Sequence, residues 1–520
     1  MTTTTAVTEA SESRPDHRRV LIIFSGLMLG MLLAALDQTI VATALPTITS
    51  DLGGLNHLSW VVTAYLLAAT VSTPVWGKLG DLYGRKTLFQ LTIVIFLAGS
   101  IACGLAQTMG QLILFRGVQG LGGGGLIVLA QAIIADVVSP RERGRYQGYF
   151  GAMFGAASVA GPLLGGFLTD SLSWRWVFYV NIPVGLAALV VTTIVLPPSA
   201  RRRATAIDYW GAVVLSAGTT SIILFTTWGG EQYAWDSPLI IGLGVAAIAL
   251  LAVFVAVERR ATEPLLPIEL FQQSTFRIAV TVSFILGIAM YGAISFLPLF
   301  LQVVGGSSAT NSGLLILPLM VGVLSASIVA GQLTSRTGRY KRFPVTGTFI
   351  VAVALLLLGL MDEHTSQPVA MAYMVVLGVG IGLTLQTLVL AIQNTVPPQH
   401  LGTGTSAANF FRSLGGSIGV ALFGAVFNSR LQTRLADLPF DFGATDGGFN
   451  ADLLTQLSPA ERARFDDAFA SSLTPVFLLA VPLVLGAWIL TWWLRETPLR
   501  VTTHAGPGAE PEPRPAAATR

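Results

Sequence analysis

Roughly fourteen separate stretches of this sequence are long and apolar enough to cross a bilayer, and nothing else in the chain limits its fold as much. They lie near 20–44, 58–79, 87–106, 110–135, 146–169, 176–196, 208–228, 238–257, 277–300, 312–334, 343–361, 370–396, 404–428 and 474–494. Lipid gives a backbone no hydrogen-bond partners, so each crossing must satisfy its own, as a helix of about 20 residues does. The expected class is an all-α membrane protein with 14 transmembrane helices. Composition closes the alternatives: 53% of the 520 residues are hydrophobic and 11% charged. Soluble domains carry roughly 25% charge. So few ionised groups cannot coat several soluble domains, which excludes soluble enzymes, nucleic-acid binders and disordered chains. A single cysteine, Cys103, rules out an intrachain disulfide and a thiolate metal cluster, and the five histidines are too scattered for a metal site. The first stretch is no cleaved signal peptide, being too long and followed by no small-residue cleavage site.

Basic residues set the orientation, because inner loops of membrane proteins carry the excess of lysine and arginine. With the N-terminus inside, the inner segments hold Arg14, Arg18, Arg19; Lys78, Arg85, Lys86; Arg141, Arg143, Arg145; and Arg201 to Arg203. They also hold Arg259, Arg260, Arg277; Arg336, Arg339, Lys341, Arg342; and Arg495, Arg500 with the last arginines, about 23 of the 30 basic residues. Outer loops keep Arg175 and four arginines near 429–473. Both termini are then cytoplasmic and the helix count is even. The polar, net acidic segment 429–473 reads as a long outer loop. Within it, Ser458-Pro459-Ala460-Glu461 has the form of a capping box that opens a short surface helix.

An internal repeat divides the chain. Gly77, Asp81, Gly84, Arg85 and Lys86 follow the second stretch; Gly331, Ser335, Gly338 and Arg339 follow the tenth, at an offset of about 254 residues. Gly144 and Gly402 correspond at a similar offset. Two six-helix halves, 20–198 and 263–495, separated by two inserted helices in 199–262, account for the total, with disordered tails at 1–19 and 496–520. Parallel repeats of this kind suggest a rocker transporter with its site between the halves.

Few charges lie inside the spans. Asp37 is the only acid well within one, about 10 Å below the outer surface at 1.5 Å per residue, and Arg116 reaches a similar depth in the fourth span. A charge there costs on the order of 2.5–3.5 kcal/mol, so a partner or a wet cavity is expected. Desolvation favours the neutral acid and a nearby arginine favours the carboxylate, so a change of exposure could switch protonation. A fixed structural ion pair is the alternative. Asp136 ends the fourth span at the level of Arg85, and such charges at helix ends can pair and separate when halves rock. Trp60, Tyr65, Tyr291, Gln386, Asn409 and Arg412 are candidates for a substrate cavity, although interhelical packing explains the amides equally well. Two literal motif matches fail on context. Gly415 to Gly419 spells a nucleophile elbow and Gly120 to Gly125 a dinucleotide fingerprint, but both lie inside apolar helical stretches with no preceding strand.

Six ordered motifs resemble those of the major facilitator superfamily, in particular its fourteen-helix drug:proton antiporters. They are Leu36-Asp37-Gln38-Thr39 through Pro46; Trp60 to Tyr65; Gly77 to Lys86; Leu114-Phe-Arg116-Gly117 to Gly120; Gly155 through Gly161, Pro162, Gly165 and Gly166; and Trp174 to Gly185. The resemblance spans about residues 20–495. It implies proton coupling at Asp37 and Arg116, and a latch of the outward-facing state built from Gly77, Asp81, Gly84, Arg85, Lys86 and Asp136. It also implies an antiporter motif at Gly155, Gly161, Pro162 and Gly165.

The expected function is a proton-coupled secondary transporter in the plasma membrane, exporting hydrophobic or cationic small molecules as in multidrug or antibiotic efflux. The lone deep acid would attract cations. A transporter of one metabolite or lipid and an uptake symporter are the alternatives; an intramembrane enzyme is disfavoured, since no catalytic acid, histidine or metal cluster sits at depth. No phosphate loop occurs, so no cofactor beyond the proton gradient is expected, and no partner beyond lipid, protons and cargo. A monomer is the simplest assembly.

Overall fold

Each apolar stretch becomes a helix in the computed structural model, which describes residues 17–53, 58–197, 208–230, 232–304, 316–436 and 458–499. The helices are α1 (His17–Leu52), α2 (Leu58–Tyr83), α3 (Arg85–Gly104), α4 (Met109–Val137), α5 (Pro140–Ser171), α6 (Trp176–Val195) and α7 (Tyr209–Trp228). They continue as α8 (Pro238–Glu258), α9 (Ser274–Val303), α10 (Leu317–Thr337), α11 (Arg342–Gly359), α12 (Gln367–Thr395), α13 (Leu401–Ala436) and α14 (Pro459–Trp492). All fourteen are long and apolar enough to span a membrane, and no strand occurs among the described residues. Residues 1–16, Arg201 to Arg203, most of the expected C-terminal tail and residues 437–457 of the expected outer loop lie outside the described residues.

Local chemistry starts and stops these helices. Ser139 caps α5 ahead of Pro140, Ser237 caps α8 ahead of Pro238, and the Thr108 hydroxyl accepts from Gln111 N at 3.3 Å to start α4. Two ends differ from the sequence reading. α1 does not stop before Pro46 but runs through it to Leu52. The 429–473 loop is shorter than expected, because α13 extends to Ala436 and the capping box at Ser458 opens α14 itself, not a separate surface helix. The reason is burial: Phe465, Ala468, Phe469 and Leu473 sit in the core, and Arg462 pairs with Asp466 one turn on, at 3.0 Å, so nothing breaks the helix before the span.

Buried apolar residues of α1–α6 fall mainly into two clusters, and those of α9–α14 form a third that also takes in Ala135 of α4, Leu215 of α7 and Phe254 of α8. Between these bodies the main contacts are α2 along α13 and α5 along α10. The inserted α7 and α8 pack on each other, and α7 also touches α2 and α13. The glycine run of α4 is a packing device: a Cβ at Gly122 would meet the Phe96 backbone of α3 and one at Gly124 the Ala69 carbonyl of α2. Close helix approach, not nucleotide binding, explains the fingerprint spelling.

Candidate functional site

Asp37 and Arg116 meet. Arg116 Nη1 donates to Asp37 Oδ2 at 2.5 Å, and both side chains are buried. Because α1 runs to Leu52, Asp37 lies fifteen residues, about 22 Å, from that helix end, farther than the sequence suggests. The pairing depends on where the helices cross, which residue counting from span ends does not fix. A ring of neutral groups completes the site. Gln119 Nε2 donates to Asp37 Oδ1 at 2.8 Å and Asn181 Nδ2 to the same oxygen at 3.2 Å; both also reach Ser100 Oγ. Arg116 donates in addition to Gln119 Oε1 at 2.8 Å and Val61 O at 3.1 Å, and stacks over the Tyr65 ring at 4.3 Å. Every partner of Asp37 is a donor, an arrangement that suits a carboxylate. Gln119, Asn181 and Ser100 carry no charge; Gln119 and Asn181 fall within two of the family-like motifs without a role attached to them, and Ser100 has no signal beyond being polar in an apolar span. Cys103 is free and buried beside this ring.

In front of the pair lies a cavity of about 530 Å³ lined by α1, α2, α4, α5, α7, α9 and α13 and by the α7–α8 turn. Gln38, next to Asp37, lines it, whereas Asp37 does not. Trp60, Tyr291, Asn409 and Arg412 line it as expected; Tyr65 is buried against Arg116, and Gln386 packs near Gly151 instead. The walls run from Asn409 and Arg412 in the first third of α13 to Asn428, Ser429 and Gln432 near its far end. Trp228, Gly229 and Trp235 of the inserted pair form part of the mouth, with Trp60 and Trp228 rings 5.4 Å apart. That contribution of α7 and α8 has no signal in the sequence. Among the described residues no carboxylate lines the cavity, so the expected attraction of cations by Asp37 has no direct path there.

Toward the face that carries Lys78, Arg85, Arg141 and Arg143, the cavity is shut. Asp81 of α2 accepts from Gly402 N at 2.9 Å and from Thr403 N and Oγ1 at 2.8 and 3.0 Å. A carboxylate here answers the unpaired N–H groups at the start of α13. Arg85 binds Asp81 at 2.5 Å and pairs with Asp136. Gly84 adopts φ 96° at the α2–α3 turn, as Gly338 adopts φ 70° after α10, so the repeated glycine belongs to the turn. Gly77 abuts Gly402 and Ser406, where a Cβ would not fit. Lys86 stands apart: it donates to Thr193 O and Leu196 O at the end of α6, a contact within the first half. Beneath the cavity, Gln393 of α12 donates to Gln131 O of α4 at 3.2 Å, and Asn409 to Gln131 Oε1 at 2.9 Å.

The glycines of α5 face two ways. Gly161 and Gly165 receive Thr39 and Thr43 of α1, and Gly155 receives Leu324 of α10. Pro162 lies inside the continuous α5. Small residues therefore let α5 contact both halves at once.

Comparison with known proteins supports the same architecture. The family model described as Major Facilitator Superfamily matches residues 27–420. An uncharacterised MFS-type transporter of Mycobacterium tuberculosis is 47% identical over 484 residues, 92% of this chain and 70% of its own. A multidrug transporter protein of Bacillus subtilis is 41% identical, covering 82% of this chain and 79% of that one. Among solved structures, a proton:xylose symporter matches with a TM-score of 0.62 at 14% identity, over 92% of this chain and 96% of that one, a likeness of fold alone. With fourteen spans, a cavity between two helical bodies and these relatives, the chain is a multi-pass membrane transporter of the major facilitator superfamily.

Proposed function

We propose that this protein exports amphipathic or hydrophobic small molecules from the cell in exchange for protons, by alternating access across the plasma membrane. It works as a monomer with its basic face and both termini cytoplasmic. One observation carries the reading: a buried carboxylate, Asp37, is paired to Arg116 behind a cavity that its neighbour Gln38 lines and that is sealed toward the basic face. Multidrug names among relatives support export of apolar cargo. Proton binding to Asp37 would release Arg116, which ties α4 to Val61 of α2, and α2 carries Asp81 at its other end. Loosening that tie lets the seal on α13 part. One charge crossing 100 mV yields about 2.3 kcal/mol, so no nucleotide is needed.

The test is transport into proteoliposomes holding the purified full chain, with an imposed pH gradient and a hydrophobic dye. Accumulation that an uncoupler abolishes is the expected result; accumulation indifferent to the gradient would overturn proton coupling.

A further inference from the structure

Arg412 is the one charged residue among the described residues lining the cavity, and its guanidinium has most of its hydrogen-bonding capacity unspent. It lies eleven residues into α13, about 16 Å along the helix and so near the middle of a core of about 30 Å. The buried arginines elsewhere are each met by three or more acceptors. Arg116 has Asp37, Gln119 and Val61 O; Arg85 has two carboxylates and Ala132 O; Arg143 has the carbonyls of Val138, Gln393 and Ala135. For Arg412 the described residues supply one acceptor, Asn409 Oδ1 at 2.5 Å, and no carboxylate. Asn409 is itself held by Gln131 Oε1 and Thr405 O, both at 2.9 Å, so the guanidinium is anchored at one nitrogen. A guanidinium has five N–H donors, and the fork is shaped for a two-pronged acid group.

A charge at this depth is costly, and a single neutral acceptor offsets only a small part of the cost. A ligand that brings the missing anion would. Besides polar groups, the cavity that Arg412 lines presents the apolar and aromatic side chains of Trp60, Leu66, Phe154, Trp228, Tyr291 and Phe296. We propose that the preferred cargo is an amphipathic organic anion, a carboxylate or sulfonate bound by the Arg412 fork with its apolar body against these rings. This deepens, and rests on, the reading of the cavity as the export site. An anion leaving as a proton enters moves charge in the same electrical sense twice, so export of such cargo is driven by membrane potential as well as by the pH gradient.

Three pyrene probes of one shape separate the possibilities: pyrenebutyrate, pyrenebutanol and a pyrenebutyl ammonium. Binding to the purified full chain in lipid nanodiscs is measured by quenching of its tryptophan fluorescence. Pyrenebutyrate is expected to bind about tenfold more tightly than the alcohol, the worth of a charge-assisted hydrogen bond. Arg412→Gln should erase that preference while leaving the alcohol within a factor of about three, and Arg412→Lys should keep part of it, having charge without the fork. Equal binding of all three probes, or a preference that survives Arg412→Gln, overturns the proposal. Chloride that displaces pyrenebutyrate as effectively as a cold organic acid also overturns it, since Arg412 then holds a small inorganic anion. Tightest binding of the ammonium would likewise overturn the proposal and assign the cavity to cations. The two readings fail separately. Proton-driven export of the alcohol or ammonium without anion preference sinks only the anion assignment. Anion preference with no proton-driven movement of any probe sinks only the exporter.

Discussion

The two halves meet along two seams related by the internal repeat, and the seams are closed by different chemistry. In the α2–α13 seam, Gly77 abuts Gly402 and the Asp81 carboxylate takes three donors from the first turn of α13. In the α5–α10 seam, Gly331 abuts Gly144, and the half-buried Ser335 stands where Asp81 does, accepting from Arg145 N at 2.9 Å. Arg141 adds bonds to the carbonyls of Ser335 and Arg336 at 3.0 and 2.8 Å. The glycines give both seams the same close approach; only one has a buried charge facing a helix start. A charge–dipole contact is lost abruptly when helices part, whereas hydroxyl and carbonyl contacts to a long arginine can yield gradually. Under the proposed alternating access, this asymmetry makes α2–α13 the seam expected to set the access equilibrium and α5–α10 the seam about which it turns.

The most damaging way to break this comparison is Asp81→Asn. It leaves Arg85 with Asp136 and the Ala132 carbonyl and strips the charge from the start of α13, a loss of about 1.5–3 kcal/mol for hydrogen bonds to a charged group. Labelling of Ser406→Cys from the basic face, in a Cys103→Ala background, should rise sharply; unchanged labelling would reduce Asp81 to topology. Next in size are Gly77→Ala and Gly331→Ala. Each new Cβ meets the opposing helix, and overpacking of this kind costs about 1–3 kcal/mol. Both should raise the same labelling to similar extents, since the glycine approach is common to the two seams. A smaller effect of the opposite sign is expected for Ser335→Asp, which gives the second seam the missing acid; protection should increase by about 1 kcal/mol. Arg141→Ala should matter least, within about 1 kcal/mol, because its guanidinium is partly exposed.

Much of this was legible in the sequence because lipid forces a one-to-one relation between apolar runs and helices. Asp37, Arg116, Arg412 and Asp81 stood out because ionised groups are scarce in such a chain. What stayed hidden is of two kinds. Ser100 and Gln131 are neutral and cost little individually to bury, and although Gln119 and Asn181 lie in family-like motifs, their convergence on Asp37 comes only through helix crossings that no spacing rule reports. Tyr65 and Gln386 show the converse: their helices were correctly placed, but which face points to the cavity depends on rotation about the helix axis. The merging of the expected surface helix into α14 has the same origin, since Phe465 and Phe469 are buried only by tertiary contact.

The central claim is that the Asp37–Arg116 pair couples cargo movement to protons. It is tested most directly by cargo-driven proton flux in proteoliposomes that enclose a pH-sensitive dye and start with a gradient of a transported dye and none of pH. Wild-type protein should move protons against the cargo, and Asp37→Asn should still exchange labelled for unlabelled cargo while moving no protons. Proton flux of wild-type size in Asp37→Asn would contradict the account.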